Sequence, residues 1–168
     1  MIAGGDELRD GLRNARRHAL LTVAADSVGV GSRALAMAVA WAGERQQFGR
    51  PIGSFQAVSH RCADMLVAVE GARSQVLNAA ESDPDSADST DSEYLIDLAA
   101  AAAFDAAVAA AEATIQIHGG IGFTWEHPAH LLLRRAQANA VLVGRAEALR
   151  DRAARVVTAA FRKQTLER

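Results

Sequence analysis

Apolar positions recur at helical spacing along almost the whole chain. From about Asp6 to Gln47, Leu21, Val28, Leu35 and Ala42 stand seven apart, and Val23, Ala24, Ala38 and Trp41 fill the same broad face. The spacing predicts one long helix capped by Asp6, with Gly11, Gly29 and Gly31 leaving room for a bend or a close helix crossing. Gly49-Arg50-Pro51 ends it, because a proline disfavours helical backbone in the residue before it. A second stripe, Phe55, Val58, Cys62, Met65, Leu66, Val69, Val76 and Leu77, predicts a helix capped by Ser54 that fades at Glu81.

The segment 82–91 is dense in acidic and turn-forming residues and predicts a mobile, solvated loop rather than a domain boundary. Ser92 restarts a helix through Tyr94, Leu98, Phe104, Val108, Ala111 and Ile115, where the extreme Ala content favours burial among close neighbours. After a glycine break, Glu126 and Pro128 open a further helical stretch. Leu131, Leu132, Val141, Leu142, Leu149, Val156, Val157 and Phe161 carry it to about Lys163, as one helix or as two parted near Ala138-Asn139. No strand alternation is visible. The expectation is a single all-α domain over residues 1–168, an antiparallel bundle of four to five long helices.

Composition agrees with that architecture. Half of the residues are hydrophobic but only 5% are aromatic, so Ala, Val and Leu carry the core and helix axes can approach closely. A net charge of −2 makes no case for nucleic acid as a partner. Cys62, alone, excludes an internal disulfide and suits a reducing cytosol, and neither a membrane-length apolar run nor a secretory leader is evident. The expectation is a cytoplasmic protein.

Two stretches stand out as candidate chemistry. Gln116 to Phe123 places Gly119, Gly120 and Gly122 within four residues, which a helix interior tolerates poorly at about 1 kcal/mol each. Such a break is by itself a helix stop, and bare backbone amides there also suit a phosphate or diphosphate. Arg45 to Ile52, with Phe55 and Gln56, is the other. Arg45 at a helix end complements the macrodipole, and its fork equally suits a phosphate while Phe48 suits a planar ring.

These residues resemble the C-terminal helical domain of acyl-CoA dehydrogenases. The pattern Glu-Arg-x-x-Phe-Gly-x-x-Ile-x-x-Phe-Gln stands here as Glu44 to Gln56, and Gln-x-x-Gly-Gly-x-Gly-Phe as Gln116 to Phe123, followed by an Arg-containing segment at Leu133 to Ala136. The resemblance covers essentially the whole chain. It implies an FAD enzyme that oxidises acyl-CoA thioesters to trans-enoyl-CoA, a carboxylate taking the α-proton while the β-hydrogen leaves to the flavin. It further implies that Arg45, Phe48 and Gln56 contact the FAD of a neighbouring subunit, and that Gln116, Gly119 and Gly120 line the same diphosphate region. The implied partners are a second copy of the chain or a second acyl-CoA dehydrogenase subunit.

No catalytic carboxylate follows from the match. The family's usual glutamate position falls on Val143, just before Gly144, and the position used by some members falls near Ala19, beside His18. Valine and alanine take no proton. His18 is read as a solvated helix-surface histidine and Glu126 as a helix-start carboxylate. His118, His127 and His130 lie close together without acidic or thiol partners at ligand spacing, so no metal is expected. The family's N-terminal helical and β-domains have no counterpart in these 168 residues, and a shortened chain, a split subunit and a degenerate paralogue all fit. The resemblance implies a flavin-contacting, oligomer-forming domain inactive by itself; the alternative is a structural or regulatory helical subunit that binds no flavin alone.

Overall fold

The computed structural model describes residues 5–82 and 89–166. Five helices account for most of it: α1 Gly5–Glu44, α2 Gln56–Glu81, α3 Ser89–His118, α4 Ala129–Leu142 and α5 Ala146–Leu166. The direction of each follows from its cross-helix contacts. Arg16 meets Asp97 and the Thr114 hydroxyl donates to the Ala34 carbonyl, so α1 and α3 run in the same sense. Arg73 donates to Ser32 and Arg17 to the Ser82 carbonyl, which turns α2 against them. Arg135 and Asn139 both reach Asp26, while Leu132 packs near Ala34 and Ala38, which turns α4 against α1 as well.

α3 is the central helix. Ala99, Ala100, Ala101, Ala103, Ala107, Ala110 and Ala111 are all buried with Phe104, because neighbours lie on almost every side and only small side chains leave room for them. The crossing of α1 uses Gly31 in the same way. A Cβ there would stand 3.0 Å from a Val69 methyl on α2 and 3.6 Å from the Ala107 Cα on α3. One end of the core gathers Leu20, Val28, Val76, Ile96, Phe104 and Leu149; the other gathers Ala38, Met65, Val69, Ala113 and Ile117. α1 and α3 each hold a window long and apolar enough to cross a membrane, but these are the helices whose apolar faces build this core.

The most deeply buried carboxylate of the bundle is paired. The Asp97 carboxylate, with a side chain 1% exposed, accepts from Arg16 at 2.9 Å and from both the Nε and an Nη of Arg152 at 2.5 Å. Burial pushes this carboxyl above the usual range and Arg16 pulls it back. The triad joins α1 and α5 to α3, and removing one partner would leave a buried charge uncompensated.

Several expectations need correction. α1 stops at Glu44, and two short strands follow, β1 Gln46–Gln47 and β2 Arg50–Pro51, where no strand was expected. Ser54 belongs to a 3₁₀ turn, Ile52–Ser54, and its hydroxyl donates to the Pro51 carbonyl; Phe55 stands at the start of α2 instead. α3 begins at Ser89, so the expected loop is helical from there, and its part at 83–88 lies outside the described residues. The last stretch is two helices, parted at Val143-Gly144-Arg145 rather than near Ala138-Asn139. Gly144 makes that turn with φ +128°, while Asn139 stays helical because it bonds to Asp26 and Ser27.

Candidate functional site

The Arg45 to Gln56 stretch is a hairpin set on the end of α1. The Arg45 amide donates to the Trp41 carbonyl, closing the helix, and its own carbonyl accepts from Ile52 at 2.8 Å. Gln46 pairs with Pro51 and Gln47 with Arg50, which leaves Phe48-Gly49 as a two-residue loop. Their φ values are +53° and +76°. Positive φ at both central residues defines a type I′ turn, whose twist matches the flanking strands.

Phe48 is the only non-glycine residue with positive φ among those described, and its ring is 91% exposed. A bulky side chain in that conformation is strained. The ring meets Phe55 edge-on at 6.1 Å, and the Arg50 guanidinium lies 4.1 Å over the other partner, Phe55. Gln56, exposed, is the first residue of α2 beside this cluster.

The glycine break is a 3₁₀ turn, Gly119–Phe123, continuing from α3. Its glycines differ in what they do. A Cβ on Gly122 would lie 2.7 Å from the Ile115 carbonyl, so this residue packs the turn back onto α3. Gly119, at φ +65°, and Gly120 have nothing within 4 Å of a built Cβ. Their backbone borders open space, and Gln116 is exposed one turn earlier.

Stacked rings join the two stretches. Trp41, near the end of α1, stacks on His118 at 5.1 Å with planes 19° apart, and His118 meets His127 at 4.1 Å. The Arg45 guanidinium sits 5.9 Å over the opposite end of this stack, on Trp41. Hydrogen bonds assign the imidazoles. His118 donates from Nδ1 to the Thr114 carbonyl and His130 from Nδ1 to the His127 carbonyl, whereas His127 Nδ1 accepts from the Ala129 amide. Burial, then His118 and His130, hold His127 below the usual histidine range.

Arg45, Phe48 and Gln56 are thus brought together by the hairpin, and Gln116, Gly119 and Gly120 by the end of α3, with Trp41 and His118 between the two groups. An open groove of about 460 Å³ between α2 and α3 runs from this end; its lining residues Ala57 and Ala113 adjoin Gln56 and stand one turn from Gln116. Sequence reasoning passed over both bridging residues. Trp41 read as one more core position and His118 only as a candidate ligand, because ring stacking between distant segments leaves no local signal.

The residues weighed for proton transfer lie elsewhere. Val143 is about 21 Å along α4 from its start, from 14 residues at 1.5 Å each. It packs on the core cluster that includes Leu20, while Ala19 is exposed; neither is a carboxylate. His18 is exposed and bonded to the Asn14 carbonyl, and Glu126 is exposed. Among the described residues no group of three metal-ligating side chains occurs.

An exposed arginine, an exposed ring and two glycines with open space beside them lie at this end of the bundle. The class so defined is an α-helical bundle domain. Residues 12–158 match the family described as acyl-CoA dehydrogenase, C-terminal domain. The chain belongs to the acyl-CoA dehydrogenase family. It is 50% identical over 118 residues to acyl-CoA dehydrogenase FadE34 of Mycobacterium tuberculosis, covering 70% of this chain and 16% of that protein. It is 42% identical over 126 residues to acyl-CoA dehydrogenase IpdE2 of Mycolicibacterium smegmatis, covering 75% and 38%. The crystal structure of the ChsE4-ChsE5 complex from Mycobacterium tuberculosis superposes with a TM-score of 0.77 at 31% identity, over 85% of this chain and 38% of that one. The chain therefore spans well under half the length of these relatives.

Proposed function

We propose that this chain supplies one half of an FAD site to an acyl-CoA dehydrogenase assembly, formed with a second copy or with a second acyl-CoA dehydrogenase subunit. The observation that carries the reading is the convergence of Arg45, Phe48 and the open glycines at one end of the bundle through the Trp41–His118 stack. Arg45 would hold the diphosphate through its fork, with Gln116 and the amides at Gly119 and Gly120 on the same group. Phe48 would cover a planar ring, and Gln56 would donate or accept beside it. FAD, when bound, supplies the hydride acceptor for oxidation of an acyl-CoA thioester. The chain offers no base for the accompanying proton, since Val143 and Ala19 occupy the positions where the resemblance places one.

The reading that the chain serves within a larger assembly draws on its similarity to one subunit of a complex of two differently named proteins. The test is flavin retention after purification alone and with a co-expressed partner subunit. Arg45→Ala is expected to lower FAD affinity at least tenfold, as loss of about 1.5–3 kcal/mol from a charge-assisted contact implies. Acyl-CoA oxidation with a dye acceptor should be absent for the chain alone. Unchanged flavin occupancy in Arg45→Ala, or robust turnover by the single chain, would overturn the assignment.

A further inference from the structure

Three features offer more than the reading above uses: the groove between α2 and α3, the buried Asp97 triad, and the ring stack that joins the two site segments. The stack reaches furthest. Its members come from three places in the chain: Trp41 from α1, His118 from the end of α3, and His127 from the segment leading into α4. It ties the end of α1, where the Arg45 hairpin begins, to the residue just before the glycine turn.

We propose that Trp41, His118 and His127 form a proton-sensitive clasp that positions Arg45 against the glycine turn, tight when His127 is neutral and loosened when it gains charge. Trp41 and His118 are positioning residues, acting through Arg45 and through the backbone at Gly119 and Gly120. The proposal rests on the flavin half-site reading for its consequence, though not for its existence.

The chemistry follows from the geometry. Neutral imidazoles stack and pack as aromatic rings. Protonation of His127 at Nδ1 breaks the bond that atom accepts from the Ala129 amide and sets a positive charge in a ring 4.1 Å from His118. The titratable and charged groups facing the stack are Arg45 at the end of α1, His118 in α3 and His130 in the first turn of α4, all basic. Acid therefore adds charge beside an arginine and two further imidazoles. His127, kept below the usual range by burial, resists until the pH falls under that of an ordinary histidine near 6.5, and then the contact opens.

Amide hydrogen exchange of the peptide spanning residues 116–124, corrected for intrinsic rates, reads the clasp without any flavin. In the unaltered chain, exchange is expected to be at least tenfold faster at pH 5.5 than at pH 7.5. His127→Phe keeps a ring in the stack and removes the charge, so exchange should stay slow at both. Trp41→Leu should be fast at both, while Trp41→Phe should behave as the unaltered chain. Equal protection of the unaltered chain at the two pH values, or acid loosening that persists in His127→Phe, overturns the proposal.

Flavin binding separates this idea from the one it rests on. At pH 7.5, Trp41→Leu should weaken FAD at least tenfold, as Arg45→Ala does. If FAD binds the unaltered chain and Trp41→Leu equally, the positioning role is overturned. If the unaltered chain binds no FAD, the half-site reading fails, and the exchange measurements alone decide whether the clasp exists.

Discussion

At the residue scale the most informative side chain is Phe48, because its backbone and its environment both argue against a structural purpose. A phenylalanine at φ +53° stores strain on the order of 1–2 kcal/mol, and a ring 91% exposed recovers little of it through burial. Asparagine is a favoured partner for Gly49 in a type I′ turn, since Asn tolerates positive φ. Phe48→Asn should therefore raise stability by about 1 kcal/mol, or roughly 2–4 °C in Tm for a chain of this size. The same variant should lower flavin retention. A stabilising substitution that costs binding would identify Phe48 as held in place for a ligand; a loss of stability would show that the ring's contact with Phe55 outweighs the strain. The sequence announces neither the turn nor the strain, because Phe-Gly is not a dipeptide that signals a hairpin.

At the scale of elements, what was legible is what periodicity controls. The apolar stripes of α1 and α2, and the alanine run of α3 in register with Phe104 and Val108, point to long buried helices before any contact is known. The boundaries that escaped are set by tertiary contacts. Ser54 looks like a cap but is drawn into a 3₁₀ turn, where Gly53 presses so close to α1 that a Cβ would lie 3.0 Å from the Ala42 carbonyl. Asn139 looks like a breaker, yet its amide donates to Asp26 at 2.6 Å and to Ser27 at 3.0 Å across α1, and α4 runs on to Leu142.

That same junction gives stability a pH dependence of known sign. The hydrogen bond from Arg135 lowers the Asp26 carboxyl most, Asn139 adds to it, and burial opposes both. A depressed folded-state pKa means the unfolded chain binds the proton more readily. The contribution is complete above the unfolded value near 3.9 and is lost as pH falls through the lower folded value. Asp26→Asn should thus be less stable than the unaltered chain at pH 7, with the two urea midpoints converging toward pH 2. The gap should be modest, since the Asp26 and Arg135 side chains are 38% and 61% exposed and solvent screens the pair. Midpoints that stay equally far apart at low pH would show that Asp26 acts through packing rather than charge.

At the scale of the whole molecule, the surface carries more apolar area than scattered exposure explains. Leu66, Val67 and Leu77 on α2, Leu131, Val141 and Leu142 on α4, and Val157 and Phe161 on α5 are all largely exposed. Leu66 and Leu77 are 11 residues apart, close to three helical turns, so they lie on one stripe of α2. The core beneath is already complete, with Met65, Val69 and Val76 buried against α1 and α3. The outer stripe is not needed for folding of this chain, and the assembly proposed above would cover it. The proposed half-site for FAD needs a second subunit to bring the rest, so association and flavin retention should fall together. The double variant Leu66→Lys, Leu77→Lys should keep the helical circular dichroism of the unaltered chain while shifting its sedimentation toward the monomer and lowering flavin retention. Sedimentation and flavin content both unchanged would move the interface to α4 and α5, where Leu142 and Phe161 would be the next pair to charge.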